Sequence, residues 1–268
     1  MKFSIVTISF NQSQFLEQAI RSVVDQDYQD VEYIVVDPGS TDGSREIIER
    51  YRDRIDKIIL EVDSGPPDGL NKGFAHATGD IFGFLNADDY LLPNALTSVA
   101  SAFAAAPDKD VLSGHALIVD AGGRESNRFF SRRFGVTKYV YGASTIAQQS
   151  TFFRADAFRK AGGFNARNRV AWDGELWVDL ALSGATFGRI PEFLSAFRIY
   201  GDSITGSGKH TDAYTRYRER MFLKVKGRRR SRRDRFLRLA YKGAEYMLHP
   251  SVALERLLRG PTVKRDPS

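Results

Sequence analysis

Two carboxylates stand side by side at Asp88 and Asp89, closing the segment Phe84-Leu85-Asn86-Ala87-Asp88-Asp89. Mg²⁺ and Mn²⁺ take oxygen ligands, and a diphosphate can supply the remainder of such a shell. A cation held between carboxylate and diphosphate neutralises the charge that develops when a nucleotide departs. The same pair could equally do no more than precede the helix that Pro93 is placed to begin. Alone, the pair does not choose between these readings.

A second concentration of chemistry lies in Trp172-Asp173-Gly174-Glu175-Leu176-Trp177. Displacing a nucleoside diphosphate with a hydroxyl requires a base for the hydroxyl proton, and a carboxylate shielded by Trp172 suits that task. The competing reading is an acidic first turn of a helix, with Leu176 and Trp177 in the core. Asp37 could accept a hydrogen bond from a base or ribose, although the segment Asp37-Pro38-Gly39-Ser40-Thr41-Asp42-Gly43 also has the composition of a generic turn. Lys72 near a helix start could meet phosphate, while Asp68 could cap that helix or hold a ribose. The four histidines, His76, His115, His210 and His249, form no close pair at metal-binding spacing.

The elements that must position these residues alternate in period. Strand-like runs at 3–9, 31–36, 57–62 and 80–85 are separated by helical patterns, which implies βαβ units and a mostly parallel sheet. Ligands of such sheets bind beyond the carboxyl ends of the strands, where each run here gives way to small, polar or acidic residues. Residues 111–119 and 124–130 read as a hairpin, and 131–144 as a loop. A helix over 155–161 and another from about Asp173 follow, with strand-like pieces at 186–190 and 193–199.

The 268 residues, 42% of them hydrophobic, suffice for one sizeable core. Cysteine is absent, which removes disulfides, thiolate metal sites and cysteine nucleophiles together. The formal charge of +6 is unevenly spread: residues 216–238 hold twelve Lys/Arg against Glu219 and Asp234, a net of +10, and residues 239–268 add +2, which leaves residues 1–215 at a net −6. An acidic body is unsuited to gripping nucleic acid. No GxxxxGK(S/T) loop occurs and no GxGxxG follows the first strand, so ATP-type and dinucleotide readings lose their main support. The start, Met1-Lys2-Phe3-Ser4-Ile5-Val6, lacks signal-peptide character, and no apolar run approaches a membrane span. The expectation is a cytoplasmic protein.

In order and spacing, these motifs resemble the inverting glycosyltransferases of family 2, which have the GT-A fold. The resemblance covers roughly residues 1–205. It begins with Ser4-Ile5-Val6-Thr7-Ile8-Ser9-Phe10-Asn11 and runs through the turn at Asp37, then Asn71-Lys72-Gly73 and Ala77-Thr78-Gly79-Asp80. It continues with the acidic pair, Gln149-Ser150-Thr151-Phe152-Phe153, Gly162-Gly163-Phe164 and the Trp172 segment.

The resemblance implies a sugar moved, with inversion, from a nucleotide-diphosphate sugar to an acceptor hydroxyl in surface-polysaccharide or glycolipid assembly, with Mn²⁺ or Mg²⁺ as cofactor. Thr7, Phe10, Asn11, Asp37 and Gly39 would line the nucleoside pocket, with Asp68 and Lys72 nearby. Asn86-Ala87-Asp88 would be the family's DxD element, Asp88 the main metal ligand and Asp89 its companion. Asp173 matches the usual catalytic base, with Glu175 in reserve and Trp172 on the acceptor side. Three positions depart from the pattern: Asn86 replaces an acid, Pro38 stands where a second acid often follows Asp37, and Tyr200 occupies a frequent histidine position. A UDP-sugar is the first expectation, weakened by Pro38, and the acceptor is a glycan or a lipid-linked molecule.

The domain expectation is a GT-A unit over 1–208, with a nucleotide-sugar half at 1–110 and an acceptor half at 111–208, followed by a basic helical appendage at 209–268. The basic run bounded by Arg228 and Arg238, followed by apolar residues, suggests peripheral contact with the inner face of the cell membrane. A solvated helix packed on the body is the competing reading. Two other function classes are a sugar nucleotidyltransferase, which usually has a Gly-rich loop where Ser9-Phe10-Asn11-Gln12 stands, and a membrane- or nucleic-acid-binding module driven by the tail.

Overall fold

The computed structural model describes residues 1–201 and 211–248. The boundary expected at 208, the last four residues of the family resemblance and the final segment 249–268 lie outside these residues.

β1 (Phe3–Ile8), β2 (Val31–Val36), β3 (Lys57–Ile59) and β4 (Ile81–Asn86) form a parallel half-sheet in the order β3-β2-β1-β4. α1 (Ser13–Val24), α2 (Ser44–Arg50) and α3 (Pro66–His76) make the crossovers. α1 is a helix because Phe15, Leu16, Ala19, Ile20 and Val23 fall on one buried face. After β5 (Tyr90–Leu91) and α4 (Ala95–Ala105) come β6 (Val111–Val119) and β7 (Glu125–Phe129), the expected hairpin. α5 (Val136–Val140) lies within the segment read as loop. β8 (Thr151–Arg154), α6 (Ala155–Ala161), α7 (Trp172–Leu182) and β9 (Phe187–Arg198) complete the body.

The sheet continues from β4 through β8, β6 and β9 to β5, with β7 beside β6. Beyond β4 it is mixed, because β8 runs antiparallel to both β4 and β6 while β6 and β9 are parallel. One face is covered by α1, α2 and α4 through Leu16, Ile20, Ile47, Leu96 and Phe103. The other is covered by α3, α6 and α7 through Leu70, Phe74, Phe158 and Trp177.

The basic C-terminal stretch forms α8 (Thr211–Lys226) and α9 (Arg232–Leu248). α8 is seated on the body: Tyr217, Met221 and Phe222 are buried in a third cluster with Val140, Tyr141, Val170 and Val178. α9 is tied down by Tyr141 donating to Asp234 at 2.7 Å and by the Lys138–Glu245 ion pair at 2.5 Å.

Candidate active site

Register brings the polar strand ends together, since Ile8 lies opposite both Val36 and Asn86. The segments leaving β1, β2 and β4 therefore emerge at one rim. A cleft of ≈ 660 Å³ opens there, lined among others by Ser9, Phe10, Pro38, Asp63, Asn86, Asp88, Trp172 and Tyr200.

The acidic pair divides its labour. Asp88 lines the cleft and accepts a hydrogen bond from the Tyr200 hydroxyl at 3.3 Å. Burial holds its carboxyl above the usual Asp range. Asp89 is 1% exposed and is not part of the cleft wall. Its Oδ1 accepts the backbone N–H of Arg198 at 3.0 Å and its Oδ2 accepts from Asn86 Nδ2 at 3.3 Å. Burial, then the Asp88 charge, push Asp89 well above the ordinary value. The expected second metal ligand is thus occupied in tying the loop after β4 to β9.

Arg198, which the sequence reading passed over, braces the same loop. It is 2% exposed, and its guanidinium donates to the carbonyls of Asp88 (3.0 Å), Asp120 (3.0 Å) and Ala121 (2.9 Å) while lying 4.4 Å over the Phe15 ring. A buried cation beside the buried Asp89 and the partly buried Asp88 offsets part of their desolvation cost. The signal was present in Ala196-Phe197-Arg198-Ile199, where an arginine interrupts an apolar strand.

At the end of β2, Asp37 is fully buried. Its Oδ1 accepts from the N–H groups of Gly39 and Ser40 at 3.0 and 2.8 Å and from Arg45 Nε at 3.2 Å. Gly39 makes this turn at φ +141°, a conformation side chains rarely adopt. Asp37 Oδ2 and Ser9 Oγ have no partner among the described residues, although both are buried. Orphaned acceptors at a strand-end rim fit a ligand that carries donors. Phe10 presents a ring that is 59% exposed at the cleft.

Other expected lining residues are support. Thr7 is fully buried and takes the Tyr33 hydroxyl at 2.9 Å inside the sheet. Asn11 uses its side-chain oxygen on the Thr41 N–H at 2.9 Å, which fastens one rim loop to the next. Asp68 accepts the Ser64 N–H at 2.8 Å, a bond that lowers its pKa, and Lys72 donates to the Val62 carbonyl at 2.5 Å. Both hold the loop before α3. Asp63, five residues earlier, is the acid of that loop that lines the cleft, and burial raises its pKa. Ala87 is fully buried and Asn86 reaches the cleft.

Trp172, also in the cleft wall, packs on Phe84 and Phe164 with ring centroids 5.4 and 5.6 Å away. Asp173 is the next residue, in the first turn of α7; it is not itself in the cleft wall. Surrounding protein raises its pKa above the usual range, against opposing backbone bonds from Gly174 and its own N–H. Glu175 is 3% exposed and fully engaged, accepting from Asn165 (3.1 Å), Asn168 (2.7 Å) and Arg220 (2.6 Å). It pins the loop before α7 and the helix after the body to one point.

Among the described residues no three His, Cys, Asp or Glu side chains converge on one metal position. Of the two acids that line the cleft, Asp63 and Asp88, Asp88 is the one at the end of β4, and its surroundings disfavour it as a bare anion. That donor set fits a hard cation whose other ligands come from a diphosphate and water.

Residues 4–162 match the sequence model of Glycosyl transferase family 2. The chain belongs to that family. An uncharacterized glycosyltransferase of Nostoc sp. is 39% identical over 106 residues, covering 38% of this chain and 33% of the Nostoc protein. The Campylobacter jejuni GalNAc(5)-diNAcBac-PP-undecaprenol beta-1,3-glucosyltransferase is 33% identical over 102 residues, covering 37% and 33% of the two chains. These two alignments span about a third of the relatives' length.

Among solved structures, residues 1–349 of Staphylococcus aureus TarS in complex with UDP-GlcNAc superpose with a TM-score of 0.66 at 18% identity, over 97% of this chain and 78% of that fragment. The Pyrobaculum calidifontis mannosyltransferase with GDP-Man and Mn²⁺ gives 0.65 at 16% identity, over 96% and 73%. These likenesses show the fold, the GT-A arrangement expected for family 2.

Proposed function

We propose that this family 2 chain is a metal-dependent inverting glycosyltransferase that transfers a sugar from a nucleoside-diphosphate sugar to the hydroxyl of a glycan or lipid-linked acceptor. The observation that carries this reading is one cleft lined by both Asp88 and Trp172, the neighbour of Asp173. Phe10 stacks on the base, and the unpartnered Asp37 Oδ2 and Ser9 Oγ accept its donors or those of the ribose. Asp88 holds Mn²⁺ or Mg²⁺, which when bound offsets the negative charge of the departing nucleoside diphosphate. Asp173 takes the proton of the acceptor hydroxyl. The hydroxyl oxygen bonds to the anomeric carbon as the bond to the diphosphate oxygen breaks, and one displacement inverts that centre.

Residues 1–110 accordingly serve the donor, and 111–208 serve the acceptor. UDP-sugars are the first donors to try, although the two similar structures carry different nucleotides, one UDP-GlcNAc and the other GDP-Man. Surface-polysaccharide or glycolipid assembly is the setting suggested by the undecaprenol-linked substrate named for the Campylobacter relative. The test is nucleoside diphosphate release from a panel of UDP-, GDP- and dTDP-sugars with and without Mn²⁺. At least one donor should turn over with metal and none after EDTA; metal-independent turnover would contradict the reading.

We further propose peripheral attachment to an anionic membrane face. Among the described residues no helix is long and apolar enough to cross a membrane. On α9, Asp234 and Glu245 face the body, while Phe236 and Met247, 75% and 79% exposed, share the opposite side with Arg232. Apolar side chains flanked by arginines suit an interfacial helix on acidic lipids. Co-sedimentation should be strong with phosphatidylglycerol vesicles, weak with phosphatidylcholine, and reduced at least fivefold by Phe236→Ser with Met247→Ser. Equal binding by wild type and variant would contradict attachment through this face.

A further inference from the structure

The N-terminal turn of α7 is closed in part by α8, which lies beyond the region that resembles the family. Tyr139 from α5 and Tyr217 from α8 bring their hydroxyls within 2.9 Å of each other. Both hydroxyls lie against Gly174, so that a Cβ there would collide with each. The charge of Asp173 is felt by Tyr139, Tyr214 and Tyr217 alike, and burial raises all three phenols as it raises Asp173. Two ion pairs hold α8 against α7: Arg220 to Glu175 at 2.6 Å, and Lys224 to Asp179. Arg218 is the further cation on this side whose charge reaches the tyrosines.

We infer that α8 is a functional part of the acceptor side, with Tyr217 and Tyr139 as positioning residues that wall Asp173 off from water and Arg220 as the anchor that keeps the wall in place. This rests on Asp173 being the base. The physical reason is direct: a base removed from water is a stronger base and keeps its geometry between turnovers, provided its neighbours cannot swing away. Gly174 fits this arrangement, since any side chain there would push the hydroxyl pair off the turn. Because α9 follows α8 and Arg228 binds Asp234 at 2.8 Å, the basic helix and the base sit on one continuous packed unit.

The experiment compares Tyr217→Ala, Tyr217→Phe and Arg220→Gln with wild type in the full chain, using turnover against pH with a responsive donor. Tyr217→Ala hydrates Asp173, so the acid limb of kcat should move to lower pH and kcat should fall about tenfold. Donor KM should stay within twofold. Tyr217→Phe retains the ring and should keep the wild-type acid limb. Arg220→Gln, at a half-exposed side chain and shown folded by circular dichroism, should lower kcat several-fold with the same unchanged KM. Wild-type kcat and acid limb in both Tyr217→Ala and Arg220→Gln would overturn the inference. Should Tyr217→Ala fail to fold, Arg220→Gln alone decides by the same criterion. Asp173→Asn, run beside them, separates the two levels: if it is inactive while the other variants match wild type, only the role of α8 fails, whereas full turnover by Asp173→Asn removes the base assignment beneath it.

Discussion

The Tyr200 hydroxyl donates to Asp88 Oδ2 across 3.3 Å, at the point where β9 leaves the sheet beside the end of β4. Burial first, and the Asp88 charge second, push Tyr200 up to about 12, so it stays a neutral donor at neutral pH. A phenol in that position supports the carboxylate without competing for a cation. Tyr200→His would place an imidazole there, a far better ligand. The half-saturating Mn²⁺ concentration in the turnover assay should fall several-fold, and an unchanged value would show that Tyr200 does not border the metal position.

Asp173 and Glu175 are two residues apart and have opposite assignments. Asp173→Asn should lower kcat by ~10²–10⁴ with little change in donor KM, because it acts on the proton in the chemical step. Glu175→Gln should lower kcat no further than the several-fold expected of Arg220→Gln, and lower stability by about 1–3 kcal/mol, through weakened bonds to Asn165, Asn168 and Arg220. Chemical denaturation and steady-state kinetics on the two variants separate these outcomes. In the wild type, the acid limb of the pH profile should lie above about 4, the ordinary Asp value, because burial raises Asp173.

Asp88 makes metal binding dependent on pH in a defined direction. Its folded pKa is raised, so its contribution to stability is complete below the ordinary Asp value and is lost as pH rises through the folded one. A cation that shares the carboxylate relieves that loss. The rise in Tm caused by Mn²⁺ with a nucleoside diphosphate should therefore grow as pH increases across this window. Without metal, Asp88→Asn should flatten the decline of Tm over the same range, as followed by thermal shift.

Asn86 stands where the family resemblance implies an acid, and its amide has two acceptors to serve. Its Nδ2 donates to Asp89 Oδ2 and to Gln148 Oε1, both at 3.3 Å. Asn86→Asp would remove both donors and place a third carboxylate beside two that burial already disfavours. The metal-free protein should lose about 2 kcal/mol, and Mn²⁺ should restore more of its Tm than it adds to wild type. A metal-free stability equal to wild type would show that Asp89 does not depend on this amide.

The first four strands could be read from the sequence because β1, β2 and β4 are apolar runs enclosed on both faces, with helical spacing between them. Beyond them the hairpin and α6 were legible but the strand order was not, since β6 lies beside β8 and β9 through contacts that no local pattern records. Pro191 makes 186–190 and 193–199 look like two strands. They form the single β9, whose pairing with β6 shifts register near His115 and so accommodates the interruption.

The site shows the same division. Asp88 was legible as an acid at a strand end, the place where such sheets bind ligands. Its separation from Asp89, and that of Asp173 from Glu175, depends on Arg198 and Arg220, which lie far along the chain and reach these carboxylates only after folding. Asp63 was overlooked in favour of Asp68 because both sit in one Pro- and Gly-containing loop, and only the path of the backbone decides which faces the cleft.

Manganese can be observed directly at the proposed position by electron paramagnetic resonance. Wild-type protein mixed with Mn²⁺ and the nucleoside diphosphate of a responsive donor should deplete the free Mn²⁺ signal and yield a broadened bound spectrum. The Asp88→Asn protein, shown folded by circular dichroism, should leave that signal nearly undiminished under the same conditions. Equal depletion by the two proteins would contradict the central claim that Asp88 holds the cation against the departing diphosphate.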